Sequence, residues 1–458
     1  MMLARNGFLK KSFNRVYYVN KRKDYSGFTL SGKRSGVLSA SSSRNCFVEN
    51  GKLRRGHGCG RHLISFDGVN AYLPTIPSSK GVKKFFPLTK EGKETIGYVT
   101  LENRVDYYNP TTRSYKIIGE FPIVHHVTSF FDENDEQWLL ICYGGGAVAY
   151  SVLQDKMETV LETEVVSGES FHERLFLANG TNLLYGAPMN TFHFSDTADD
   201  SGTIRLPSSA GNIKLLKVYR ERLYAFCDNG IWKIEAGGAA SDFKAEMIDY
   251  NGGKIYAHTV TLCGEKLAFV SGDGIYLFDG QVAERIDETS SYPFNKFSEF
   301  STGYYGGRLY MTFISLGKTR TLFFNLNDVT DYGECFPMLA LSNVNGNLMY
   351  LQNGYPSRLY YYDSNFPAGE ENFFCVKDLD FSDLGEKQLR AVTLLGEGNG
   401  TLTVEGGRRT HTVTFRLTDG IVRYEMPLKG KKFSLRLTLS LNTALSGIRF
   451  EYDKLGGK

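Results

Sequence analysis

The chain reads as all-β: a β-propeller of about six or seven blades, preceded by an extended basic N-terminal arm and followed by a C-terminal β-sandwich. Three observations predict this. A two-strand phrase returns about every 40 residues. Asn-Gly or Asp-Gly occurs twelve times, and aromatic residues make up 14% of the chain against only 12 prolines. A period near 40 with several strands per unit marks propeller blades. Asn-Gly and Asp-Gly favour type I′ turns, whose two central residues both take positive φ. Tyr and Phe suit half-buried pleated surfaces.

The clearest copies of the phrase are Arg222-Leu223-Tyr224-Ala225-Phe226, answered by Gly230-Ile231-Trp232-Lys233-Ile234, and Lys266-Leu267-Ala268-Phe269-Val270, answered by Gly274-Ile275-Tyr276-Leu277-Phe278. Weaker copies begin at Arg174, Arg308 and Asn347, and degenerate ones lie around Tyr98 and Leu139. From Tyr98 through Leu139, Leu175, Leu223, Leu267 and Leu309 to Leu348 the steps are 41, 36, 48, 44, 42 and 39 residues. One blade cannot bury both of its faces, so such units must close into a ring. The propeller is expected over residues 63–370, with the run Leu63-Ile64-Ser65-Phe66 completing the last blade as a latch.

Residues 1–62 hold 14 Lys and Arg against Asp24 and Glu49, a net +12 that leaves −9 on the rest of a chain whose total is +3. A basic segment on an acidic body concerns partners rather than fold. Residues from Met1 to Val19 fit a short basic amphipathic helix, with Leu9, Phe13, Val16 and Tyr17 on one side. The Ser/Gly-rich stretch beyond has too little apolar content for a core of its own and is expected to order only against a partner. Residues 371–458 change rhythm. Short strands separated by Gly-rich turns, such as the alternating Phe433-Ser434-Leu435-Arg436-Leu437-Thr438-Leu439, predict the small sandwich.

Seven scattered cysteines, an odd number without a C-x-x-C, argue against a disulfide framework and for a reducing site of synthesis. No run of about 18 apolar residues suggests a membrane span, and the basic N-terminus lacks the apolar stretch of a secretory signal. Catalytic signatures are missing: there is no G-x-S-x-G and no H-E-x-x-H. Gly317-Lys318-Thr319 lacks the upstream glycine of a phosphate-binding loop. His57, Cys59 and His62 are zinc-binding residue types at an unusual spacing with no visible fourth ligand, so a Gly-rich turn is the simpler reading. His125-His126 reads as structural. The acidic runs at 132–136 and 196–200 lack calcium-loop spacing and read as solvated loops. No catalytic residue, metal or cofactor is assigned. The basic arm stands above background: Lys10, Lys11, Arg15, Lys21, Arg22, Lys23, Lys33, Arg34, Arg54 and Arg55 are candidates for docking within an assembly or for contact with DNA phosphates.

In order of parts the chain resembles the tail hub or nozzle proteins of tailed bacteriophages, including the packaged-DNA stabilisation proteins of short-tailed phages. Asn50-Gly51-Lys52-Leu53-Arg54-Arg55-Gly56 matches a phrase near the start of their body. Pro188-Met189-Asn190-Thr191-Phe192-His193-Phe194-Ser195-Asp196 resembles a loop and strand before one of their blades. Residues 222–234 and 266–280 resemble their repeated strand pairs, and Leu389-Arg390-Ala391-Val392-Thr393-Leu394-Leu395-Gly396-Glu397-Gly398 the opening of their last domain. The resemblance implies a non-enzymatic virion protein, made in the bacterial host cytoplasm, that assembles as a homo-oligomeric, hexameric ring around the DNA exit channel. Its implied partners are portal, adaptor or other tail proteins, with non-specific contact to packaged DNA. The alternatives are a carbohydrate-binding propeller (a lectin or adhesin) and a carbohydrate-active one. Clusters of exposed Trp would favour the former, and paired channel carboxylates the latter. The chain has only Trp138 and Trp232.

Overall fold

The computed structural model describes the chain except residues 1–16, 31–36, 62, 67–68, 73–75, 77–80, 91, 189–191, 195–199, 287–292, 327–331, 345, 353–354, 368–371, 419, 441 and 457–458. For 17–20, 57–61, 63–66, 69–72, 332, 352, 355–367 and 455–456 it describes the backbone alone. Among the described residues the regular structure is strand, apart from short 3-10 turns such as Ser208–Ala210. Among the described residues no helix is long and apolar enough to cross a membrane. The chain divides into two units, one of residues 57–369 and one built from both ends, 1–56 with 370–458.

The first unit is the propeller. Its described residues form seven four-stranded antiparallel sheets. Their first strands are Val82–Lys90, Val124–Phe131, Ser167–Phe171, Ile213–Tyr219, Ile255–Cys263, Ser298–Tyr305 and Met338–Val344, numbered here as blades 1 to 7. Each first strand lies beside that of the next blade, and Met338–Val344 lies beside Val82–Lys90, so the ring closes. The phrase that repeats in the sequence is the second and third strand of each blade, as in Arg222–Cys227 with Gly230–Glu235.

The packing explains why those strands are apolar almost without interruption. Successive strand residues point to opposite faces, and both faces of a blade are covered by neighbours. Leu223, Ala225 and Cys227 enter the apolar cluster shared by blades 3 and 4. The residues between them, Tyr224 and Phe226, enter the cluster shared by blades 4 and 5, where Phe226 meets Phe269 at 5.8 Å between ring centroids. Ala268 and Val270 then face the cluster shared with blade 6. Tyr98, Phe85, Met349 and Leu351 join blades 1 and 7.

The latch differs from expectation. The strand that completes blade 7 is His57–Arg61, antiparallel to Tyr355–Pro367, with Tyr360 opposite Arg61 and Pro367 opposite His57. Leu63–Phe66 instead forms a hairpin with Val69–Tyr72. The propeller therefore starts at 57, not 63, and the Gly-rich stretch that reads as a turn is an edge strand, His57-Gly58-Cys59-Gly60-Arg61. Of the three zinc-binding residue types in this stretch, His62 and the side chains of His57 and Cys59 lie outside the described residues.

In the second unit the described part of the basic segment, expected as an extended arm ordered only against a partner, is paired into a sheet with the chain's own C-terminal strands. Tyr17–Tyr25 pairs along its whole length with Ala444–Gly456, from Tyr17 opposite Gly456 to Tyr25 opposite Ile448. Ser42–Arg44 pairs with Phe373–Leu379, and the hairpin of Cys46–Glu49 and Lys52–Arg55 joins the same sheet at Ala444 and Leu445. The physical reason is burial. Phe28, Leu38, Cys46, Phe47, Val48 and Leu53 are all buried, and Phe28 meets Phe374 edge-on at 5.4 Å. The segment cannot build a core alone, and the far end of its own chain supplies the rest. Of the helix expected from Met1 to Val19, residues 17–19 are strand and 1–16 lie outside the described residues.

By hydrogen bonding this unit is one ten-stranded sheet rather than the two separate sheets a sandwich implies. Its axis is the 20-residue strand Lys387–Gly406. The first part of that strand pairs with Ile421–Gly430 and Ala444–Gly456, the second with Arg409–Leu417 and Phe433–Leu439. The changeover falls at Gly396 and Gly398, with φ +137° and +95°. A Cβ on Gly396 would sit 2.2 Å from the Ala444 carbonyl oxygen, so only glycine fits. Phe381 anchors the interior against Phe433, Phe450 and Tyr452, with centroids 5.6, 4.9 and 4.8 Å away.

Candidate functional site

The first strands encircle the propeller axis, so their inward side chains meet in a central lumen. Six of these seven strands carry a register shift, the mark of a β-bulge. A bulge places an extra residue in one strand and re-aims the side chains beside it. In blade 1 it falls between Val82 and Lys84, and both Lys83 and Lys84 leave the apolar interior. In blade 2 it falls between Val124 and His126.

Five ionisable side chains from five consecutive blades converge there: Lys84, His126, Glu169, Lys217 and His258. Lys84 of blade 1 acts electrostatically on residues of blades 2, 3, 4 and 5, which only a shared central space allows. Lys84 and His258 are ringed by protein yet keep much of their surface exposed, as side chains do in an enclosed, water-holding lumen. Lys217 Nζ stands 3.8 Å from Glu169 Oε1, an ion pair longer than a hydrogen bond. Glu169 Oε2 is buried with no hydrogen-bond partner.

Enclosure moves Lys84, His126, Glu169 and His258 toward their neutral forms. Burial, then the positive charge of Lys217, lowers Lys84 to about 8, against the opposing pull of Glu169. Burial lowers His258 to about 4, with Lys84 adding to the effect. Burial and the charges of Lys84 and Lys217 hold His126 well below the usual histidine range. Glu169 is raised by burial, with Lys217, the Val218 backbone and Lys84 opposing. At neutral pH both imidazoles are therefore uncharged, and the lumen presents two amines beside one carboxyl group. Groups with perturbed protonation gathered in a cleft are a mark of functional sites. No described His, Cys, Asp or Glu residues gather as a metal cluster.

Hydroxyl groups fix this lumen from behind. Ser167 Oγ in blade 3 accepts a hydrogen bond from Leu216 N of blade 4 at 3.0 Å and lies 3.2 Å from His126 Nδ1 of blade 2. Ser301 Oγ accepts from Leu341 N across blades 6 and 7 at 3.1 Å. Ser342 Oγ accepts from Phe85 N across the closure of the ring, also at 3.1 Å. Thr302 Oγ1 donates to the Thr259 carbonyl between blades 6 and 5 at 2.7 Å. Each bond satisfies a buried backbone group that the neighbouring sheet leaves free.

The basic residues singled out in the sequence lie in the other unit or outside the described residues, as do Lys10, Lys11, Arg15, Lys33 and Arg34. Lys21 Nζ and Lys454 Nζ both lie 3.3 Å from Asp383 Oδ2. Arg22 pairs with Asp24 at 2.8 Å, and Arg54 with Glu49 at 3.1 Å. Lys23 lies over the Tyr25 ring at 5.8 Å, and Arg55 is half-buried. The described cations are thus engaged within the chain. Asp132, from one acidic run, accepts from Asn134 N, Glu136 N and Trp138 Nε1 and so closes its own hairpin. Leu316 and Gly317 form the hairpin turn between Arg308–Ser315 and Lys318–Asn325, and Lys318 opens the second of those strands.

Sequence reading missed the lumen set. No member belongs to a catalytic or binding motif within its own strand, and His125-His126 reads as structural. The available signal is relational: a titratable residue in the first strand of five successive repeats.

No family model matches the chain, and no curated protein does. Among solved structures it is similar to virginiamycin B lyase from Staphylococcus aureus, at 11% identity and a TM-score of 0.43, over 63% of this chain and 97% of that one. BamB from Moraxella catarrhalis is similar at 10% identity and 0.39, over 71% and 99%. PorZ from Porphyromonas gingivalis is similar at 11% and 0.40, over 84% and 46%. These proteins have different roles, and the common ground is the propeller class.

Proposed function

We propose that the chain is a non-enzymatic structural component of a tailed-phage virion: a tail hub or nozzle subunit, copies of which ring the DNA exit channel. The supporting observation is the order of parts. A basic segment leads through Asn50-Gly51-Lys52-Leu53-Arg54-Arg55-Gly56 directly into a propeller, and a β-unit follows. This is the order of the family that the sequence resembles. The described strands of the basic segment are woven into that β-unit, which favours a scaffold role for them over contact with DNA. Closed rings need heterologous interfaces that meet after a full rotation. The sugar-binding alternative gains nothing from tryptophan: Trp138 is buried, and Trp232 packs against the cluster of blades 3 and 4.

The test is the native mass of the purified chain by light scattering, with negative-stain images, alone and after addition of portal or adaptor protein. Rings of about six copies are the expected result. A persistent monomer that binds or cleaves oligosaccharide would overturn the proposal.

A further inference from the structure

The lumen holds more hydrogen-bonding capacity than it uses. Among the described residues no carboxylate lies within ion-pair distance of Lys84, and Lys217 Nζ stands 3.8 Å from Glu169 Oε1. Glu169 Oε2, on the same carboxyl group, is buried without a partner. A buried carboxyl oxygen is costly unless paired, and the two ammonium groups face the same water-holding space. The two nearby imidazoles cannot supply the missing negative charge, since a histidine is neutral or positive. What completes this set is a small group with several acceptor oxygens, reached by both amines and able to bond to Glu169.

From this arrangement we infer that the propeller lumen is a binding site for a small oxyanion of the phosphate type, held between Lys84 and Lys217 with Glu169 as third partner. Phosphate oxygens accept from both ammonium groups by charge-assisted hydrogen bonds. A phosphate that keeps a proton also donates, which suits the unpartnered Glu169 oxygen. His126 and His258 border the same space. His126 is held in place by Ser167, whose hydroxyl is tied in turn to the Leu216 amide. The site is therefore assembled by blades 1 to 5 and backed by the hydroxyl bonds that hold the blades in register. It stands independently of the virion role, since it lies inside the propeller of a single chain.

The experiment is calorimetric titration of the intact chain with inorganic phosphate and, separately, with glycerol 3-phosphate, beside Lys84→Met, Lys217→Met and Glu169→Gln. The expected result is saturable binding of one ion per chain, with a dissociation constant of about 1 mM or tighter. Each lysine variant should weaken it by about tenfold or more. Glu169→Gln should tighten it, because a negative charge leaves an anion site while an amide donor remains. Tighter binding of the free ion assigns inorganic phosphate as the occupant, and tighter binding of the ester assigns a phosphomonoester. Circular dichroism and the thermal midpoint of each variant establish that it is folded. Glu169→Gln keeps the charge test available where a lysine variant folds poorly. Absence of saturation by both probes, or affinity unchanged in all three folded variants, would overturn the assignment.

Discussion

The propeller and the unit built from the chain ends are both antiparallel β-structure, yet they are specified in opposite ways. In the propeller, each blade apart from the last is a continuous stretch of chain, and its strands pair with sequence neighbours through short turns. In the other unit, Tyr25 lies opposite Ile448 and Arg44 opposite Phe373. One region is a set of local decisions repeated seven times around a ring. The other exists only when two distant segments meet. Local pairing leaves a period in the sequence; distant pairing leaves none.

Damage to the two regions should therefore differ in kind. The largest effect is expected from Phe28→Ala. It removes a buried ring that rests on Phe374 and leaves a cavity where the N-terminal segment joins the C-terminal strands. The cost should be about 3–5 kcal/mol. Chemical denaturation followed by near-UV circular dichroism should show an early transition for this unit, with the propeller transition unmoved. A single transition, shifted as a whole, would show that the two units unfold as one and would erase the contrast.

Ser342→Ala should have a smaller effect, about 1–3 kcal/mol, because it strands the buried Phe85 amide at the closure between blades 7 and 1. Ser342→Thr keeps the hydroxyl and should recover part of the loss. Hydrogen exchange at Phe85 reads the outcome directly. Faster exchange confined to blades 1 and 7 would confirm a local closure, and uniform acceleration around the ring would argue for a fully cooperative one.

The smallest effect should come from Lys84→Met in the lumen, and its sign is opposite. Lys84 is lowered to about 8 in the folded chain, below its ordinary value of about 10.4. Between those values the unfolded chain binds more protons, so this residue makes stability rise with pH across that window. Below about pH 8 its penalty is present in full. Lys84→Met should therefore be slightly more stable than the parent at neutral pH and should lose the rise above pH 8. Denaturant midpoints measured from pH 7 to 9.5 check both statements, and parallel curves for parent and variant would contradict them.

The same contrast explains what was legible in the sequence. The repeat was visible because residues such as Leu223 and Phe226 serve two blade interfaces from one short strand, which forces an uninterrupted apolar run. The latch was misread by six residues, since Gly58 and Gly60 carry no side chains to advertise a strand. The role of Tyr17–Tyr25 was invisible because its partner lies more than 400 residues away, and its contiguous run Lys21-Arg22-Lys23 reads as a solvated basic arm. The lumen set was hidden for a related reason. Lys84, His126, Glu169, Lys217 and His258 are neighbours only through the ring, and the bulges that re-aim several of the strands have no clear sequence mark.

The pairing of Tyr17–Tyr25 with Ala444–Gly456 also sets a clock. A ribosome adding about 5–20 residues per second needs roughly 20–80 s to travel from the first of these strands to the second. Throughout that interval the early strand is a finished edge without its mate, while blade after blade closes behind it. His57–Arg61 waits through about 300 residues for Tyr355–Pro367. The basic character of the early segment then has a use before the protein is complete. Like charges on an unpaired edge discourage neighbouring nascent chains from docking there, and so hold the place open for the partner still being made.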